Sequence, residues 1–151
     1  MRTISNPVKT SAPVRGSMNL LTRLSRVVYR RATEDVIGVR LKQLIALDYL
    51  REQGGSTQQQ LGQSLMLDPN NCVILLNDLE DAGYVVRRRD PSDRRRHIVE
   101  MTAKGARALE HAERKLETVE GEVLGNLTAA ERSTLHELLS KALEGACGAD
   151  S

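Results

Sequence analysis

The segment that most constrains the fold is residues 84–105, YVVRRRDPSDRRRHIVEMTAKG. Residues 84–89 and 97–101 are interpreted as two strands whose side chains point alternately to opposite faces, and an Asp-Pro-Ser-Asp sequence (residues 90–93) lies before the second of them. Alternation with a period of two predicts half-buried strands, and a Pro-Ser pair between aspartates favours a tight turn. The segment therefore predicts a two-stranded hairpin that carries six arginines and two aspartates over residues 87–96.

Two short helices joined by a tight connection are predicted directly before this hairpin. Thr57 and Gln60 have the spacing of a capping box at the start of the first. Asp68 followed by Pro69 marks the start of the second, because Asp caps free amides and Pro is tolerated at the first helical position. The expected inward-facing residues of this helix, spaced i, i+3, i+4 and i+7, are Cys72, Leu75, Leu76 and Leu79. A helix-turn-helix followed by a hairpin predicts a winged helix-turn-helix.

Longer amphipathic helices are predicted on both sides of this unit. They run over residues 17–34, 39–53 and 102–124, and a last helix begins at a capping-box pattern of Thr128 and Glu131. In a chain of 151 residues, these helices have more apolar surface than one winged lobe covers, so we expect a homodimer. The residues expected at the dimer interface are Leu20, Leu24, Val27, Leu116, Val119, Val123, Leu135, Leu138 and Leu139.

The arginine-rich hairpin suits the minor groove of double-stranded DNA, where closely spaced phosphates concentrate negative potential. We expect Arg95 to enter the groove and Arg94 and Arg96 to flank it. Asp93, two residues earlier, would orient the Arg95 guanidinium through a forked ion pair. The alternative is a charged hairpin that is merely solvated, and the helix-turn-helix directly before it disfavours that alternative.

The helix pair supplies further candidate DNA contacts. Thr57, Gln58 and Gln59 begin the short helix, where backbone amides and polar side chains bind phosphates. Asn70 and Asn71 begin the recognition helix, and asparagine binds adenine through two hydrogen bonds; alternatively, these two residues only cap the helix. The exposed positions expected further along this helix are Val73, Ile74 and Asn77. The apolar pair would contact thymine methyl groups or pack against the first helix.

Residues 79–105, LEDAGYVVRRRDPSDRRRHIVEMTAKG, resemble the wing motif of the MarR family of bacterial transcription regulators. The resemblance implies a homodimeric DNA-binding regulator, usually a repressor, on a pseudo-palindromic operator. It also implies release by a small lipophilic or phenolic effector bound between the dimer module and the winged lobes. Val73 and Ile74 stand where many relatives carry Thr or Arg, which leaves more of the specificity to DNA shape. The positions that match the family motif are Leu79, Glu80, Gly83, Asp90, Pro91, Asp93, Arg95, Thr102, Lys104 and Gly105.

The predicted fold class is mainly α with a small β-hairpin wing, a winged helix-turn-helix plus a helical dimerisation module. We expect a flexible N-terminal arm over residues 1–16 and a dimerisation helix over 17–36. The DNA-binding lobe would span residues 37–101, and the C-terminal dimerisation helices residues 102–147. The residues expected to line an effector pocket, inferred from helix positions alone, are Leu24, Val28, Tyr29, Leu47, Tyr49 and Leu50.

Other kinds of site find little support in the sequence. It has no phosphate-binding glycine loop, nucleophile elbow or catalytic His/Cys/Asp grouping, so neither an enzyme nor a cofactor is expected. His97, His111 and His136 lack metal-ligand spacing, and we expect His97 to be partly buried in the hairpin. Cys72 is interpreted as a core residue rather than a redox switch, and Cys147 lies in a small-residue tail. Two distant cysteines and no apolar run of 18 residues favour a reduced, cytoplasmic protein without a membrane span.

Two alternative functions remain open. A winged-helix protein–protein module would leave the hairpin solvated, and its binding would not share the steep salt dependence of DNA binding. A non-specific architectural DNA binder would not distinguish its site from unrelated DNA, so competition separates it from a sequence-specific regulator.

Overall fold

The computed structural model describes the backbone of residues 8–148 and the side chains of residues 16–146. The described part is mainly helical with one small antiparallel sheet, as the sequence predicts. The elements, in chain order, are α1 (Val8–Arg31), α2 (Glu34–Ile37), α3 (Leu41–Gln53), β1 (Ser56–Thr57), α4 (Gln58–Ser64), α5 (Pro69–Asp81), β2 (Val85–Asp90), β3 (Asp93–Met101), α6 (Ala103–Val123) and α7 (Ala129–Gly148).

The core lies between the helices α2 to α6 and the inner face of the sheet. It is aliphatic, because the chain contains neither Phe nor Trp. The expected inward face of α5 is confirmed, since all four of its predicted residues are buried. Full burial of one such side chain stabilises the fold by about 1.5–3 kcal/mol. The largest fully buried side chains are Ile37, Leu47, Leu50, Leu61, Leu76, Leu79, Val85, Val99 and Leu109.

The sheet has three strands in the order β1-β3-β2, all antiparallel. The hairpin of β2 and β3 is confirmed, although β3 begins at Asp93, earlier than the predicted His97. The strand β1 was not predicted, since two residues are too short to show alternation. It pairs Ser56 with Val99 and Thr57 with Ile98, and so attaches the start of α4 to the base of the wing.

The predicted helix starts at four caps are confirmed by their hydrogen bonds. The Asp68 carboxylate accepts from the Asn71 N–H at 2.8 Å, and the Thr102 hydroxyl accepts from the Gly105 N–H at 3.0 Å. Both capping boxes have their two reciprocal bonds. Caps depend on residues within one turn, which is why sequence alone locates these helix starts.

The N-terminal boundaries differ from the prediction. The first helix begins at Val8 rather than at residue 17, so it includes residues 8–16 of the expected arm; residues 1–7 lie outside the described part. Pro13 and Gly16 suggested breaks, because a proline inside a helix removes one backbone hydrogen bond, but α1 continues through both residues. The helix ends at Arg31, and α2 follows it unpredicted, closed by Gly38 at φ 87°.

Apolar side chains on α1 and α7 remain exposed in the single chain. Residues 129–146 of α7 contain no buried residue. Val119, by contrast, is only 4% exposed and belongs to the core, so its expected place at a dimer interface is wrong: its own chain already encloses it. Leu116 and Val123 are half-buried against the same core. The large exposed residues of the two helices are Met18, Leu20, Leu21, Tyr29, Leu138, Leu139 and Leu143.

Among residues 8–148, no helix has an apolar stretch long enough to cross a bilayer.

Candidate nucleic-acid interface

The outward face of α5 is polar at both ends and apolar in the middle. Asn70, Val73, Ile74 and Asn77 are all exposed, and Ile74 is 51% exposed. These positions are spaced at i, i+3, i+4 and i+7, opposite the buried leucines of the same helix. The sequence-based expectation that Val73, Ile74 and Asn77 point away from the core is therefore confirmed, and any DNA contact by them stays a prediction.

Asn71 has a capping contact in the structure. Its Nδ2 donates to Asp68 Oδ2 at 2.8 Å, while its backbone N–H donates to Asp68 Oδ1 at 2.8 Å. The Asn70 side chain makes no hydrogen bond within residues 16–146. Its whole amide is thus available to a ligand, whereas Asn71 has one amide N–H engaged by Asp68.

Arg87 connects the wing to α5, the expected recognition helix. Its Nη2 donates to Asn77 Oδ1 at 2.7 Å and to Glu80 Oε1 at 2.9 Å. The hydrogen bond from Arg87 is the main reason why the pKa of Glu80 lies below its ordinary value. Arg87 is therefore occupied within the chain, and Asn77 has its carbonyl oxygen engaged and its amide N–H groups free to donate.

Asp90 builds the turn at the tip of the wing. Its Oδ1 accepts from the Ser92 backbone N–H at 2.9 Å and from the Ser92 hydroxyl at 2.7 Å. Its Oδ2 accepts from Arg96 Nη2 at 3.3 Å. These contacts, those of Ser92 first, lower the pKa of Asp90. The turn is thus held as a charged Asx-type turn, and Arg96 supports it as well as facing solvent.

Arg95 extends into solvent from the wing, with 91% of its side chain exposed. A single oxygen of Asp93 accepts from its Nε at 3.3 Å and from its backbone N–H at 3.1 Å. The expected forked pair is therefore wrong, because the contact uses one guanidinium nitrogen and leaves both terminal nitrogens free. Arg89 and Arg94 are exposed and form no ion pair within residues 16–146, whereas Arg88 pairs with Glu100.

A groove of about 400 Å³ joins the helix pair to the wing. It brings together the predicted residues Thr57, Gln58, Gln59, Arg95 and Arg96. The antiparallel pairing of β1 with β3 causes this approach, because it fixes the start of α4 beside the wing. The lining residues that sequence reasoning missed are Gly62, Gln63, Leu67, Pro69, Cys72 and His97.

His97 is exposed, so its expected partial burial is wrong. It pairs in register with Arg89 near the turn, while the core side chains Val85 and Val99 lie nearer the base of the hairpin. Near the turn, the hairpin has no core beneath it. Alternate side chains there are therefore no longer divided into a buried face and a solvated face. No signal in the sequence marks where the ribbon leaves the core.

Cys72 forms part of the buried floor of the groove, as expected of a core residue. Its Sγ lies 3.6 Å from the Gln58 carbonyl oxygen. Burial raises the pKa of the thiol, and the charge of Arg87 opposes that rise only in part. The thiol form is favoured, which makes Cys72 a poor nucleophile. Cys147 lies outside the residues whose side chains are described.

The expected effector pocket stays a prediction. Leu47 and Leu50 are fully buried in the core of the single chain. Tyr29 lines a separate cavity of about 100 Å³ with Lys42, Ile45, Leu65, Leu67 and Leu75.

A larger cleft of about 270 Å³ lies at the root of the wing, where residues before α3 approach α6. Lys104 lies over the Tyr84 ring at 5.7 Å, and no acidic residue lines the cleft. The sequence did not predict it, since its lining comes from three distant segments. These residues are Gly38, Val39, Tyr84, Lys104, Arg107, Ala108 and His111.

Within the described residues, no three His, Cys, Asp or Glu side chains are grouped as a metal site would need.

Comparison with known proteins gives three agreeing results. The MarR family profile matches residues 37–96. A putative transcriptional regulatory protein for the hcr operon of Thauera aromatica is 33% identical over 95 residues, which are 63% of this chain and 57% of that protein. The HTH-type regulator YdgJ of Bacillus subtilis is 30% identical over 72% of this chain and 66% of its own length. The chain thus spans little more than half the length of the first of these relatives.

Solved structures agree across most of the chain. A cysteine-to-serine mutant of MarR from E. coli, complexed with operator DNA, is 25% identical. It superposes with a TM-score of 0.68 over 92% of this chain and 99% of that one. A MarR family regulator from Rhodococcus gives a TM-score of 0.74 at 25% identity, over 82% of this chain and 89% of that one. With the wing motif, the capped helix pair and the sheet order in place, the chain belongs to the MarR family of transcriptional regulators.

Proposed function

We propose that this protein is a sequence-specific DNA-binding transcriptional regulator that acts as a homodimer on a pseudo-palindromic operator, as a repressor. The observation that carries the proposal is one continuous face, made of the exposed side of α5, the start of α4 and the cationic tip of the wing. The start of α4 and the wing line the groove in which predicted phosphate-binding and minor-groove residues meet, and Pro69 and Cys72 of α5 also line it. The operator-bound MarR relative, similar over nearly its whole length, supports the same use of the fold.

In this mechanism α5 enters the major groove and the wing follows the adjacent minor groove. Asn70 and Asn77 present amide groups to base edges, and Ile74 contacts apolar thymine methyl groups. Arg95 reaches into the minor groove, while Arg94 and Arg89 neutralise phosphates and release counterions. Thr57, Gln58 and Gln59 would position the lobe on the backbone, since phosphate contacts fix register without reading sequence.

The exposed apolar residues of α1 and α7 support the homodimer. Leu20 and Leu138 are each about three-fifths exposed in the single chain, and they belong to long helices with further exposed leucines. Contiguous apolar surface of this kind is rare on monomers and is covered by association. Two copies related by a two-fold axis would hold their α5 helices about one helical turn of DNA apart, at roughly 34–36 Å.

We also propose that DNA is released when a small effector binds to the protein. The cleft at the root of the wing is the better candidate, because Lys104, Arg107 and His111 form no ion pair within residues 16–146. It adjoins Tyr84, whose carbonyl oxygen accepts from the Thr102 N–H at 3.0 Å and so lies at the junction of wing and α6. A bound ligand would act by changing the orientation of the wing lobes, and a coupling of about 1–3 kcal/mol would lower DNA affinity 5- to 150-fold.

DNA binding is tested by selecting duplexes from a random library with the purified protein and measuring the affinity of the selected duplex at several salt concentrations. We expect an enriched near-palindrome, whose binding weakens steeply as salt rises. A winged-helix protein–protein module would enrich no duplex. A non-specific architectural binder would bind the library without enrichment, and unrelated DNA would compete equally well.

A further inference from the structure

The flank of α5 that faces away from the wing carries a second cationic edge. Arg40, just before α3, and Lys42, in its first turn, line a groove of about 150 Å³ together with residues of α5. The α5 residues that line it include Asn71, Ile74 and Asp78. Arg40 and Lys42 lie about thirty positions before α5 in sequence, and the fold alone brings them beside it.

The two flanks of α5 are distinguished by their contacts. Asn77 and Glu80 bind Arg87 on the flank of the wing, whereas Asp78 binds Arg40 on the opposite flank. A helix with its side chains is about 10–12 Å across, and the major groove is about 12 Å wide. When α5 lies in that groove, each of its two flanks is close to a phosphate backbone. The wing can contact the backbone on one flank only.

The contact between Arg40 and Asp78 is an exposed ion pair. Arg40 Nη2 lies 2.7 Å from Asp78 Oδ2, and the two side chains are 53% and 38% exposed. Such pairs are weak in water, so a phosphate can compete for the same guanidinium. Lys42 is exposed and forms no ion pair within residues 16–146. Lys42 is thus free to bind a phosphate, and Arg40 is weakly held by the Asp78 carboxylate.

We propose that Arg40 and Lys42 bind the phosphate backbone across the major groove from the wing, and that Asp78 limits DNA affinity by holding Arg40 in the free protein. On binding, Arg40 exchanges the Asp78 carboxylate for a phosphate oxygen, so the free energy of the Arg40–Asp78 pair is lost. Every DNA sequence has the same phosphate backbone, so the Arg40–Asp78 pair lowers affinity for all duplexes. Discrimination between DNA sequences then depends on the base contacts. The inference rests on the proposed DNA-binding function.

The test measures affinity by fluorescence anisotropy for a selected duplex and for an unrelated duplex, each at several KCl concentrations. Arg40→Gln and Lys42→Gln should each weaken binding to both duplexes by about three- to tenfold and reduce the salt slope by about one. Asp78→Asn should strengthen binding to both duplexes by up to about fivefold, the limit set by an exposed ion pair. In the Arg40→Gln background, Asp78→Asn should lose most of this gain, because no guanidinium remains to be released.

Arg114→Gln is the matched control, since Arg114 is an exposed arginine on α6 away from this groove. It should leave affinity and salt slope unchanged. Arg40→Gln and Lys42→Gln variants with wild-type affinity and slope would overturn the inference, as would an Asp78→Asn variant that binds no more tightly.

Failure of this inference differs from failure of the proposed function. If the wild-type protein binds no duplex at low salt, DNA binding itself is refuted. If the wild type binds and Arg95→Ala weakens it while the two glutamine variants do not, only the second edge is refuted. Thermal unfolding by circular dichroism should show each variant melting close to the wild type, because the altered side chains are exposed.

Discussion

The arginines of the wing differ in their contacts, and those contacts decide which of them can meet DNA. Arg87 and Arg88 are held by Glu80 and Glu100, and Arg96 is partly held by Asp90. The sequence shows how many cations the hairpin has but not which are paired, because the partners lie on other elements. The wing tip therefore offers fewer free guanidinium groups than its composition suggests.

Arg95→Ala tests the part of the wing that the structure leaves most accessible. We expect operator affinity to fall by about 1–3 kcal/mol, because a minor-groove guanidinium and its released counterions are lost. Since this side chain is 91% exposed, the free energy of unfolding should not change measurably. Anisotropy titrations and urea unfolding measure the two quantities. An affinity equal to that of wild type would exclude Arg95 from the interface.

Cys72 is predicted to react slowly with alkylating agents. Burial raises its thiol pKa and encloses the sulfur, so at neutral pH both thiolate content and access are low. Labelling with iodoacetamide, followed by mass spectrometry, should be much slower in the native protein than in urea, and the native rate should rise with pH. Rapid labelling of native protein at pH 7 would contradict a buried Cys72 thiol and would support a redox role for it.

Helices and strands were predictable where their signals are local. Asp68-Pro69, Thr102 and the two capping boxes place helix starts within one turn of sequence, and the structure has helices there. β1 was missed because its two residues are defined by pairing with β3, and α2 because four residues have no periodicity. The groove between α4 and the wing follows from that same unpredicted pairing.

The junction of wing and α6 depends on Gly105. A Cβ atom at this position would lie 2.2 Å from the Tyr84 carbonyl oxygen, which also accepts the Thr102 N–H. Gly105→Ala must separate α6 from Tyr84 at the start of the wing, and overpacking of this kind costs about 1–3 kcal/mol, sometimes more. Urea denaturation should show a lower free energy of unfolding.

Gly121→Ala is the control for that substitution. Gly121 lies on the same helix, and beyond that helix's own backbone no atom comes within 4 Å of where an alanine methyl group would be. Alanine should therefore be neutral there or stabilise α6 by up to about 1 kcal/mol. If both alanine variants unfolded at the same urea concentration, the close approach of α6 to Tyr84 would be contradicted.

The proposed homodimer depends on surfaces that a single chain leaves exposed. Sequence periodicity found the apolar faces of α1 and the C-terminal helices. It did not separate Val119, which packs inward, from Leu138, which is 60% exposed. Both positions carry an aliphatic side chain on an amphipathic helix, and only the packing of the other helices distinguishes them.

Leu138→Asp is expected to weaken the dimer and to leave the fold of each chain intact. Placing a charge in an apolar interface is costly, whereas the same charge on an exposed helix face of a monomer is tolerated. Sedimentation velocity should show a shift from dimer to monomer, with unchanged helical content by circular dichroism. Met66→Asp, at a comparably exposed residue in the α4–α5 turn, should remain dimeric. Equal sedimentation of both variants and wild type would remove α7 from the interface.

In the proposed complex, two protein copies bind one DNA duplex side by side. Each copy uses the exposed side of α5, the start of α4 and the tip of the wing. Hydroxyl-radical footprinting of the wild-type protein on a selected duplex tests this arrangement most directly. Two protected half-sites are expected, with centres about 10 base pairs apart and protected minor-groove positions beside each. A single protected half-site, or no protection at low salt, would contradict it.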